Sequence, residues 1–280
     1  MYKNVEVLVE SSHAIDDVDV IQRLKVKCSE ALDLISRGKG IYFATSHAQD
    51  KVMLVRASQH VYEAGKYQLL HEMLDACREW KLFPKRSVST ICSTSRTPAQ
   101  SGSTVYVVLP INGTKIGICS GDSYGESFNR LEKTFGIRNA LEFEREFRLI
   151  LNLTEQFVND KDLPEVADIK EIQRVCAMFD NIMKTFKGLH DFKTMLRTAS
   201  DVNVDEWLRP MREGLFMRIM DALDPDLNGF DVSRISELDG YKNREIWFTN
   251  DCYMIEKSTF EELLDSGKLS NYDSSTEKVK

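Results

Sequence analysis

The chain has no long apolar run. Nothing in it approaches the ~18 consecutive apolar residues that a membrane-spanning helix needs, so no transmembrane segment is expected. Its first residues, MYKNVEVLVESSH, carry neither the basic n-region nor the apolar h-region of a signal peptide. Histidine is scarce, with five in 280 residues and no H-E-x-x-H or similar ligand spacing, which argues against a structural zinc. The six cysteines (28, 77, 92, 119, 176 and 252) form no C-x-x-C pair and read as the reduced thiols of a cytoplasmic protein. Basic excess is also missing. With 44 acidic against 37 basic residues and a net charge of −7, neither nucleic acid nor membrane is expected as a partner.

What is present is enough to build a core. Apolar residues make up 42% of the chain and charged residues 29%, which excludes global disorder. The length is large for one compact domain and small for two. Apolar spacing predicts a helix over 16–37, ended by Gly38-Lys39-Gly40, and another over 66–80, broken by Pro84. Gly38-Lys39-Gly40 is too short for a phosphate loop. Strands are predicted at 40–45, 51–56, 87–95, 103–109 and 114–119, the last two joined by the turn signal Asn112-Gly113. From 139 the pattern becomes helical, with amphipathic stretches at 139–158, 169–186 and 204–223, separated by Pro164 and Gly188. REIWF (244–248) and CYMI (252–255) read as a closing strand pair, and 270–280 as a frayed polar tail.

Three stretches imitate functional sites. Asp224-Pro225-Asp226-Leu227-Asn228-Gly229 resembles the start of an EF-hand loop, but the twelfth position is Ile235 where a glutamate is required. A turn is the better reading. Glu142, Glu144 and Glu146 look like paired acid–base carboxylates, yet their helical context assigns them to a solvated face. The hydroxyl-rich CSTSRTPAQSG (92–102) has stronger credentials. A strand ends in Ser93-Thr94-Ser95, Thr97-Pro98 can begin a short helix, Ala99 would face inward, and an apolar strand follows.

These residues carry a resemblance. STSRTPA is similar to the Ser-Thr-Ser segment of ADP-ribosyltransferases with an Arg–Ser–Glu triad, and VYVVLPINGTKIGICS resembles that family's next two strands. Asn243-Arg244-Glu245-Ile246-Trp247-Phe248 is similar to the strand of the catalytic glutamate, and CYMIEK to the last strand. GKGIYFATS, KVMLVRAS and PKRSVSTICSTS narrow the likeness to ADP-ribosyltransferase-like domains encoded by bacteriophages. The resemblance implies an α+β fold with a split, mixed β-sheet core. It further implies a single domain over 1–280, with a helical insertion at about 137–222 and the REIWF strand beside the Ser93 strand.

It also implies NAD as cofactor, a host protein as acceptor, and a place in the host cytoplasm or in a virion. By that resemblance Glu245 and Ser93 are the catalytic candidates, and Tyr42, Phe43, Thr94, Ser95, Arg56 and Arg86 the cofactor-binding ones. Ser95 would fix the strand end, and Tyr42 or Phe43 would stack on a base, core packing being the alternative for both. Two positions depart from the family. Tyr42-Phe43-Ala44 stands where Tyr-Arg-Gly is usual, so Arg56 or Arg86 would have to supply the forked guanidinium. Asn243 stands where arginine-modifying transferases have Glu or Gln. The implied activity is mono-ADP-ribosyl transfer or NAD hydrolysis; the alternative is a degenerate relative that keeps the fold for binding or as a virion component.

Overall fold

A computed structural model describes residues 18–46, 50–56, 67–95, 103–164, 167–199, 204–209, 213–238 and 240–269. The Thr97-Pro98 helix, Ala99 and the 270–280 tail lie outside the described residues. The chain divides into two compact units. One comprises the chain up to Tyr62, Pro84–Ile118 and Val232 onward; the other comprises Glu63–Phe83 and Cys119–Asp231. The second is therefore larger than the expected 137–222 insertion, and it recruits a helix from before the Ser93 strand.

Among the described residues the first unit is built on eight strands: β1 (Ile41–Thr45), β2 (Val52–Val55), β3 (Thr90–Ser93), β4 (Thr104–Pro110), β5 (Lys115–Ile118), β6 (Asp231–Arg234), β7 (Glu245–Phe248) and β8 (Cys252–Glu256). They form one sheet in the order β2-β8-β4-β1-β3-β7-β5-β6. The pairings β1 with β3 and β4, β2 and β4 with β8, and β7 with β3 and β5 are antiparallel. A split, mixed sheet was expected. The strands joined by short connections, β4 to β5 and β7 to β8, are not neighbours in the sheet, and β1 meets β3 through the single pair Tyr42↔Ser93. β6 and a helix at Lys257–Asp265 were not anticipated.

The predicted 16–37 helix is interrupted at Cys28, giving α1 (Val18–Lys27) and α2 (Ser29–Ser36). The cause is the Asn112-Gly113 turn. Asn112 Nδ2 donates to Val26 O and Ser29 Oγ, its Oδ1 accepts from Glu30 N–H, and its own N–H donates to Lys27 O at 2.7 Å. An inserted side chain that satisfies freed backbone groups is a recognised cause of helix bending. The buried core of this unit includes Leu24, Ile41, Val107, Val108, Ile246, Phe248 and Ile255.

The second unit is helical: α3 (Gln68–Ala76), α4 (Asn129–Phe135), α5 (Ala140–Asn159), α6 (Ile169–Met183), α7 (Phe186–Ala199), α8 (Val204–Trp207), α9 (Gly214–Ala222) and α10 (Pro225–Asn228). Gly188 does not separate helices, as its spacing suggested, but lies inside α7. The break falls just before it, where Thr185 Oγ1 accepts the Gly188 N–H as a cap. The predicted 204–223 helix is divided into α8 and α9, and Pro210 lies between them. The turn expected at 224–229 is a single helical turn, capped by Asp224 on Leu227 N–H.

The solvated-face reading of the α5 glutamates fails for two of the three. Glu144 is buried and accepts the Leu69 and Leu70 N–H groups at 2.9 and 2.8 Å, capping α3 from another helix. Glu146 is buried and accepts the Trp207 indole N–H at 2.8 Å. Among the described residues no helix is long and apolar enough to cross a membrane, and no group of three or more His, Cys, Asp or Glu could hold a metal ion.

Candidate functional site

Ser93 and Glu245 come together through strand pairing. β3 and β7 run antiparallel in the register Ser93↔Glu245, Cys92↔Ile246, Ile91↔Trp247 and Thr90↔Phe248. On the other side of β3, Tyr42 of β1 stands opposite Ser93. Directly opposed residues of antiparallel strands present their side chains to the same face. Tyr42, Ser93 and Glu245 therefore share one face across three adjacent strands, although about 150 residues separate the last two in sequence.

The same alternation settles the two aromatics. Phe43 presents to the opposite face and is partly buried against the core, so Tyr42, not Phe43, occupies the β1 position beside the serine. Tyr42 is itself buried, and its ring folds back along the strand. A Cβ on Gly40 would lie 2.6 Å from the phenol oxygen, so glycine is what lets the ring lie there. Core packing, weighed earlier against base stacking, describes both rings.

The hydroxyls divide differently from expectation. Ser93 Oγ accepts the Ser95 N–H at 3.0 Å, so Ser93 shapes the strand end that Ser95 was expected to fix. Its hydroxyl proton can still be donated. Thr94 closes the β3–β7 ladder: its N–H donates to Arg244 O at 2.9 Å, and its Oγ1 accepts the Arg244 N–H at 2.9 Å. Just beyond, Asn243 has φ +52°, a left-handed conformation that asparagine tolerates better than Glu or Gln. The asparagine at 243 thus has a backbone reason.

Of the two substitute arginines, the structure brings one to the site. Arg86, in a 3₁₀ turn at Arg86–Val88, forms an ion pair through Nη2 with Glu245 Oε1. The Arg86 side chain is 5% exposed and that of Glu245 is 21% exposed, so the carboxylate faces outward and the guanidinium lies behind it. Arg56 follows β2 at the far edge of the sheet, four strand steps from β3. At ~4.8 Å per step that is roughly 19 Å along the sheet. It does not join the cluster.

Sequence reading passed over Trp247, whose position in an apolar run looks like ordinary core. Its indole N–H donates to Pro84 O at 2.8 Å, and Arg86 Cζ lies 5.4 Å from its ring centroid, within cation–π range. The ring is seated on Gly117 of β5, where any Cβ would overlap the indole. A separate groove of about 370 Å3, lined by Lys27, Leu54, Ile111, Asn112, Asp251 and Tyr253, includes none of the expected site residues.

All six cysteines are buried free thiols. Burial pushes Cys28 up to about 12 and Cys77 up to about 11, and it raises Cys92, beside Ser93, as well. A thiol held in its neutral form is a poor nucleophile, so the chemistry available here belongs to the carboxylate and hydroxyls.

A partly exposed carboxylate fixed by a guanidinium, with a serine opposite across the strands, can hydrogen-bond a sugar hydroxyl and face developing positive charge. Among known proteins, no family model, no curated protein and no solved structure matches the chain.

Proposed function

We propose that the sheet unit is a divergent ADP-ribosyltransferase or NAD glycohydrolase of the kind encoded by bacteriophages, acting on a host protein or on water. The reading rests on one observation: three separate motifs, at Tyr42, Ser93 and Glu245, meet on one face of adjacent strands. In the reaction the bond between the ribose anomeric carbon and the nicotinamide nitrogen breaks. The bonding pair leaves with nicotinamide and neutralises it. A water or acceptor nucleophile then bonds to that carbon and loses a proton. Glu245 stabilises the positive charge that develops on the ribose, as carboxylates do in glycoside cleavage. Ser93 donates its hydroxyl to the ribose or to that carboxylate. Arg86 orients Glu245 from behind, a different role from the phosphate contact expected of it.

The test is nicotinamide release from NAD by the purified full chain. Glu245→Gln should lower turnover by at least ~100-fold, because it removes charge stabilisation specific to the transition state. Turnover that survives the change would mean another carboxylate does the work.

A second reading has a specific observation behind it. Phe43 supplies no guanidinium and Arg86 is shielded behind Glu245, which suits a relative that keeps the fold for binding or as a virion component. That reading gains if neither nicotinamide release nor a thermal shift appears with millimolar NAD, since a ligand of the native state must raise the melting temperature.

A further inference from the structure

We propose that Trp247 is a positioning residue, which holds Arg86 at a fixed place and thereby sets the orientation of the Glu245 carboxylate. The proposal rests on the reading that Glu245 is the working carboxylate, but its geometry can be tested apart from that reading.

Trp247 lies two residues beyond Glu245 on β7, so both side chains leave the same face of the sheet. The two engage one short segment, Pro84 to Arg86, at its two ends. The indole N–H holds the Pro84 carbonyl at 2.8 Å, and Glu245 holds the guanidinium of Arg86. The indole also lies beneath that guanidinium, with Cζ 5.4 Å from the ring centroid. Behind the segment the turn is closed by Ser89, whose hydroxyl donates to Lys85 O at 2.6 Å and whose N–H donates to Arg86 O at 3.2 Å.

The ring's own place is fixed by Gly117. The register Gly117↔Trp247 puts them opposite each other across β5 and β7, and only the absence of a side chain at 117 lets the indole lie flat. A tryptophan needed only as apolar filling would be served by other large residues. This one spends its single donor on the carbonyl two residues before Arg86 and its face on the guanidinium. A forked donor gives directional control only if its own position is fixed, and here a ring, a turn and a carboxylate fix it.

The experiment uses the full chain and side-chain NMR of the Arg86 guanidinium, with NAD turnover measured in parallel. In the wild type, slowed rotation should give Arg86 separate, slowly exchanging Hη resonances. Free rotation there would overturn the proposal without any variant. Trp247→Phe keeps a ring but deletes the indole N–H. It should merge or broaden those resonances and lower kcat roughly 10-fold while KM stays within about 2-fold, as expected for a misplaced group and not a lost binding contact. Arg86→Lys, which keeps the charge but not the fork, should reproduce the kcat loss. Unchanged Hη resonances and unchanged kcat in Trp247→Phe would overturn the proposal. A wild type with no NAD turnover but slow Hη exchange that is lost in Trp247→Phe would keep the clamp and sink the NAD reading.

Discussion

Glu144 in the helical unit and Glu245 in the sheet unit are both carboxylates withdrawn from water, and they are used in opposite ways. Glu144 spends its two oxygens on two backbone N–H groups at the start of α3, with Arg148 alongside at 3.3 Å. It is 5% exposed and satisfied on every side that matters. Glu245 sits at a strand end, paired with the Arg86 guanidinium and 21% exposed. A carboxylate saturated by backbone donors is committed to structure. One that is ion-paired and partly exposed can take a hydroxyl or face a charge. The difference lies in what surrounds the group, since the residue type is the same.

The sharpest way to break this comparison is to alter both positions and read two quantities. Glu245→Gln should cost at least ~100-fold in turnover per folded molecule, with a moderate loss of stability because glutamine can still accept from Arg86. Glu144→Ala should show the reverse pattern: a loss of about 2–4 kcal/mol in denaturant unfolding, from two unsatisfied buried N–H groups, with turnover per folded molecule unchanged. If Glu144→Ala abolished turnover in molecules still folded by circular dichroism, the division of labour would be wrong.

Glu146 sharpens the same contrast through pH. Burial raises its carboxyl above the ordinary value of 4.5, opposed by the Trp207 hydrogen bond. A carboxyl whose pKa is higher folded than unfolded binds its proton more tightly in the native state. The cost of ionising it is therefore absent below about pH 4.5 and grows as pH rises toward the folded value. Glu146→Gln keeps an acceptor for Trp207 and removes that cost. Its melting temperature should exceed that of wild type at pH 7 and match it at pH 4. A gain that is the same at both pH values would mean the carboxyl is not paying for its burial.

The smallest effect is expected at Arg56. Its exposed position at the far sheet edge predicts that Arg56→Ala changes stability by no more than ~0.5 kcal/mol and leaves NAD-induced thermal shifts unaltered. A lost thermal shift would bring Arg56 back into the site.

What the sequence disclosed follows the range of the forces involved. The strands at Ile41, Thr90, Thr104, Glu245 and Cys252 were legible because β-branched and aromatic runs between turn residues encode them locally. The pairing of Ser93 with Glu245 followed only from the order of motifs, since nothing near either residue specifies the other. The split at Cys28 was invisible because its cause, Asn112, lies more than 80 residues away. Glu144 read as solvated because the polar side of α5 is covered by a helix from a distant segment. Trp247 read as core because a buried indole and a buried apolar residue leave the same trace in a hydrophobic pattern; only the partner of its N–H tells them apart.

The pairing of β3 with β7 also fixes when the site can exist. β3 leaves the ribosome before residues 119–231 of the helical unit, and all of that unit is synthesised before β7 appears. Until then Ser93 has no Glu245 and Arg86 has no counter-ion. Contacts of such sequence separation form slowly, because the chain must close a long loop before they reward it. A nascent chain therefore presents Ser93 with no Glu245 beside it until β7 has emerged.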